Sequence, residues 1–83
     1  MSSEESRQHQ RHPVRWRAAL IRNGSNHIIK GVTLEVSRGG AGLYCDEQLP
    51  TGTQCRMILE IPGNSIGSKT HLQQDCVIVH SSL

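Results

Sequence analysis

The chain has 83 residues, a formal net charge of +2, one Trp, one Tyr and no Phe. A chain this short forms one domain that buries about 60 to 65% of its unfolded surface, here around an aliphatic core. That leaves little room for an enzyme, and no apolar run approaches the roughly 20 residues with which a helix crosses a bilayer.

Residues 1 to 12 contain no apolar side chain after Met1. They are expected to form a flexible basic arm in front of one domain at 13-83, and their polar start is unlike a signal peptide. The arm carries Arg7 and Arg11, spaced RxxxR. Charge is distributed unevenly around it: residues 1 to 41 hold seven basic and three acidic side chains, residues 42 to 83 two and four. The amino-terminal half is therefore the anion-seeking half.

Pro13 pushes His12 to extended geometry and leads into a first strand from Val14, with Val14, Trp16, Ala18 and Leu20 on one face. Asn23-Gly24-Ser25-Asn26 reads as a turn. The second strand, His27 to Ser37, alternates Val32, Leu34 and Val36 against Thr33, Glu35 and Ser37. It runs into Arg38-Gly39-Gly40-Ala41-Gly42, where missing side chains let backbone amides approach a flat or anionic ligand. A short third strand at Leu43-Tyr44-Cys45, a fourth alternating Cys55, Met57, Leu59 and Ile61, and a fifth from about Lys69 to His80 complete the pattern. Short β-branched runs broken by Gly, Pro, Asn and Ser predict an all-β fold, a small antiparallel split barrel of five to six strands.

Three cysteines, Cys45, Cys55 and Cys76, lie in apolar strand patterns without metal-ligand spacing, and read as reduced core thiols of a cytoplasmic protein. The five histidines are scattered, and only His9 and His12 are near each other, so no metal site is expected. Neither a Ser-His-Asp set nor paired carboxylates appear, so catalytic residues are not expected either.

Arg7-Gln8-His9-Gln10-Arg11, followed by His12-Pro13-Val14, and then Glu35-Val36-Ser37-Arg38-Gly39-Gly40, resemble the two motifs of the PilZ family of bacterial cyclic di-GMP receptors: RxxxR and (D/N)xSxxG. A second RxxxR reading, Arg11 to Arg15, puts Arg15 inside a strand and is the less favoured one. The resemblance extends through Leu49-Pro50-Thr51-Gly52 to about residue 80. It departs at Glu35, which replaces Asp or Asn, and at the family's last strand and C-terminal helix, which have no counterpart here.

The resemblance implies a receptor or adaptor that binds cyclic di-GMP, with no other cofactor, and signals to a protein partner in motility, pilus or biofilm control. Arg7 and Arg11 would grip guanine Hoogsteen edges and phosphates, Glu35 the opposite guanine edge, and Ser37, Gly39 and Gly40 the ribose-phosphate, with Arg38 a candidate for one more phosphate contact. Closing the arm on the ligand would turn binding into a signal. A second copy is a candidate to complete the open barrel edge, and neither nucleic-acid binding nor membrane insertion is expected. The alternative function is a protein-interaction module of similar fold that binds no nucleotide.

Overall fold

The computed structural model describes residues 10–82. Five strands follow one another, β1 (Arg17–Arg22), β2 (Ile28–Ser37), β3 (Gly40–Cys45), β4 (Gln54–Pro62) and β5 (Lys69–Val77), and the described residues include no helix. They form one antiparallel sheet in the order β3-β2-β1-β4-β5. The expected all-β architecture is thus present as a curled but open sheet, because β3 and β5 are its two edges and do not pair.

β1 is short but central, held by β2 on one side and β4 on the other. Its inward residues Ala18 and Leu20 are buried, as the alternation predicts. Leu20 packs with Ile29, Cys55 and Leu49, the last reaching in from the β3–β4 connection, while Leu43, Cys45, Met57, Cys76 and Ile78 close around them. All three cysteines are free thiols whose pKa is raised, chiefly by burial in apolar surroundings.

The β2–β3 hairpin demands one glycine for closeness. A Cβ on Gly31 would stand 2.7 Å from the Tyr44 carbonyl oxygen and 2.8 Å from the Cys45 sulfur. Both distances are inside van der Waals contact, so a side chain there pries the two strands apart.

Two readings of the alternation need correction. Regular β1 pairing begins at Arg17, not Val14, because the Trp16 amide and the Val14 carbonyl bond to the Thr33 hydroxyl instead of to a ladder partner. Within β2 the apolar-looking face is not the core face: Leu34 is exposed, while Ile29 is buried and Thr33 is fully buried. Thr33 keeps the alternation of Ile29, and the register shifts just beyond it. Thr33 pairs with Leu43 but Glu35 pairs with Gly42, so Leu34 is an extra residue, a β-bulge. One inserted residue reverses which side chains face the core, so Glu35 and Ser37 share a face with each other but not with Thr33.

Candidate functional site

Thr33 is the hook that fixes everything preceding β1. Its hydroxyl accepts from the Trp16 amide at 2.8 Å and donates to the Val14 carbonyl, and its own amide donates to the Trp16 carbonyl at 2.8 Å. A buried hydroxyl with both kinds of partner is satisfied, and removing it would leave polar groups stranded. One residue further along β2, Arg15 donates to the Leu34 carbonyl at 2.8 Å, capturing the oxygen that the bulge turns away from the ladder. Two more bonds continue the attachment: His12 N–H to Val36 O at 2.8 Å and Val36 N–H to His12 O at 2.9 Å.

This lacing carries Arg11 to the outer face of β2, where its Nη1 meets Glu35 Oε2 at 2.8 Å. The floor beside the pair is backbone. Gly42 stands opposite Glu35 and Gly40 opposite Ser37, and a Cβ on Gly42 would lie 3.4 Å from the Glu35 Cγ. Without those side chains, Glu35 can lie across β3 and a flat group can rest on the peptide planes. Ser37 Oγ accepts from the Gly39 amide and donates to the Gly40 carbonyl, both at 3.3 Å. Such long bonds are weak and readily exchanged for better ones. Arg38 is exposed in the turn at the end of this shelf.

The site is therefore an open ledge with a guanidinium, a carboxylate, a hydroxyl and accessible amides. A fork of Arg N–H donors suits a guanine O6/N7 edge or a phosphate, and a carboxylate suits a donor edge. The structure brings together Arg11, Glu35, Ser37, Gly39 and Gly40, all named from the sequence, and sets Arg38 beside them. Arg7 lies outside the described residues. Sequence reasoning missed the positioning roles of Thr33 and Arg15, while Gly42 lay within the glycine stretch it singled out. A threonine on the same parity as Ile29 and Gly31 was the available signal for the first, and the bulge that employs Arg15 leaves no mark in residue type.

Two shallow hollows, at Arg56, Gln73, Gln74 and Asp75 and at Gln48 to Thr51 with Ser81, lie on other parts of the surface. Among the described residues, no three His, Cys, Asp or Glu side chains gather as a metal-ligand set, and no helix is long and apolar enough to cross a membrane.

Residues 5–82 match the family model described as PilZ domain. No curated protein matched the chain, and no solved structure matched it.

Proposed function

The chain belongs to the PilZ domain family, whose members are in general receptors for cyclic di-GMP and not enzymes, and from that premise we propose that this protein binds cyclic di-GMP on the ledge between Arg11 and Glu35. The observation that carries the reading is the 2.8 Å contact between those two side chains, which sets Arg11 of the first motif beside Glu35 of the second over a glycine floor.

In the bound state, Arg11 turns its fork to a guanine Hoogsteen edge or a phosphate, and Arg7, one motif step earlier, supplies the second fork. Glu35 accepts from the N1 and N2 donors of a guanine. The Ser37 hydroxyl and the Gly39 amide give up the 3.3 Å bonds through which Ser37 joins the Gly39 amide and the Gly40 carbonyl and donate to ribose and phosphate oxygens instead, with Gly40 lining that end of the ledge. Drawing the basic arm onto the ligand consumes about 1 to 2 kcal/mol per residue ordered, so affinity sits near micromolar, about −8 kcal/mol. The closed arm then offers a protein partner in the cytoplasm a surface that exists only with ligand, which is how binding becomes control of motility, pilus or biofilm machinery.

A second reading, a docking module that binds no nucleotide, is favoured by the same contact: Arg11 and Glu35 already satisfy each other, and Glu35 is longer than the family's Asp or Asn. Isothermal titration calorimetry with cyclic di-GMP at low salt separates the two. Saturable heat near one equivalent per site supports the receptor; no heat above dilution at tens of micromolar protein, with the protein folded, supports the docking module.

A further inference from the structure

The edge of the sheet opposite the ledge carries a feature that ligand binding leaves unused. β5 pairs with β4 on one side and, among the described residues, with no strand on the other. Eight of its nine residues are exposed, including Leu72 at 46%. Which backbone groups look outward follows from the bonds at the two ends of the hairpin. Gly63 N–H donates to Ser68 O at 2.7 Å and Ile78 N–H to Thr53 O at 2.9 Å, so the Ser68 carbonyl and the Ile78 amide point at the β4 side. By the alternation of an antiparallel ladder, Thr70, Leu72, Gln74 and Cys76 do the same. Lys69, His71, Gln73, Asp75 and Val77 present theirs to the open edge.

We propose that this edge pairs antiparallel with β5 of a second copy of the chain, with Leu72 on the two-fold axis. In that register Lys69 of each copy lies opposite Asp75 of the other, and His71 lies opposite Gln73, all four being residues whose backbone groups face outward. Leu72 meets itself as a non-hydrogen-bonded pair, the kind in which opposed side chains approach most closely.

Charge complementarity selects this alignment. Within one chain Arg56 is the register partner of Asp75, and Lys69 Nζ lies 3.6 Å from Glu60. Across the seam the row becomes Arg56, Asp75, then Lys69 and Glu60 of the second copy, with signs alternating over four strands. Centring the pair on Gln73 instead sets Lys69 against Val77 and Leu72 against Gln74. Centring it on His71 sets Lys69 against Gln73 and brings two imidazoles together. A lysine on an edge strand normally discourages pairing; here the two-fold supplies each lysine with a carboxylate.

Sedimentation equilibrium of the full chain without nucleotide tests this independently of the ligand reading. The expected mass is twice the 9.2 kDa of one chain at high concentration, falling toward one chain on dilution. Lys69→Asp or Asp75→Lys places like charges opposite each other twice per dimer and should weaken association about tenfold. The double exchange, Lys69→Asp with Asp75→Lys, restores it, and Leu72→Lys abolishes it, while circular dichroism verifies that each variant keeps its strands. A folded native chain that remains at 9.2 kDa up to submillimolar concentration overturns the proposal. So does a dimer that Leu72→Lys or both single reversals leave unchanged, or a double exchange that fails to recover it.

Discussion

The guanidinium of Arg11 and the carboxylate of Glu35 meet at 2.8 Å across 24 residues of chain. Their side chains are 72% and 39% exposed, and an exposed ion pair contributes only about 0.2 to 1 kcal/mol to stability. The contact is thus easily exchanged for a ligand, while the backbone lacing behind it keeps both groups in place.

Arg11→Ala should therefore separate binding from folding. The midpoint of urea unfolding should move by less than about 1 kcal/mol equivalent, while heat on titration with cyclic di-GMP disappears. Arg7→Ala should behave alike. Full-strength binding by either variant would remove the arm from the site.

Glu35→Asp tests the competition between ligand and ion pair. The carboxylate is drawn back by one methylene, so it no longer reaches Arg11 as readily but remains beside the Gly42 floor, and Arg11 is released to the ligand. Losing a contact worth about 0.2 to 1 kcal/mol should tighten cyclic di-GMP binding by up to about fivefold, measured by calorimetry at constant ionic strength. Weaker binding by the aspartate variant would mean that the longer glutamate is matched to the ligand itself.

Much of this corner was legible in the sequence because it is built from residue types with strong preferences. Glycines mark the β2–β3 bend, and alternation marks β4. What the letters concealed was phase. Val32, Leu34 and Val36 look like a core face, yet Thr33, in step with the buried Ile29, occupies the interior and Leu34 is exposed, and the bulge that follows then turns Glu35 and Ser37 to the face opposite Thr33. A bulge is a property of pairing, and neither partner strand announces it alone. The same holds for Arg15, whose carbonyl partner exists only because the ladder is broken at Leu34.

Thr33→Val keeps shape and removes the hydroxyl that serves Trp16 N–H and the Val14 carbonyl. Leaving such partners unsatisfied costs about 1 to 3 kcal/mol, a fall in melting temperature of several degrees for each kcal/mol in a domain this small. Because Trp16 is the only tryptophan, its fluorescence reports the loosened segment directly. Cyclic di-GMP affinity should decline as well, since this segment sets where Arg11 stands; an unchanged emission spectrum and unchanged affinity would show that the hook is dispensable.

Two glycines facing the same hairpin should respond differently to alanine. At Gly31 the new Cβ meets a backbone carbonyl at 2.7 Å, so the strands themselves must shift, and a loss of about 1 to 3 kcal/mol is expected from chemical denaturation. At Gly42 it meets the Glu35 side chain at 3.4 Å, which can swing aside. Gly42→Ala should keep most of the stability and lose ligand affinity, because the floor of the ledge is raised. Equal stability losses at the two positions would contradict the close approach assigned to Gly31.

The three thiols give a pH signature of the core. Desolvation raises each above the ordinary thiol value of 9.0, so the folded state holds protons that the unfolded chain begins to release near that pH. Where the unfolded state binds fewer protons, stability falls as pH rises; this contribution is complete below about 9 and is lost as pH climbs through the raised values. Alkylation requires the thiolate, so native protein at pH 8 should react with iodoacetamide more slowly than free cysteine. Cys55, 1% exposed against the half-buried Cys45 and Cys76, should be the slowest by peptide mass spectrometry and should catch up in denaturing urea. Native labelling of Cys55 at the rate of a free thiol would mean that the Leu20, Ile29 and Leu49 cluster does not exclude water.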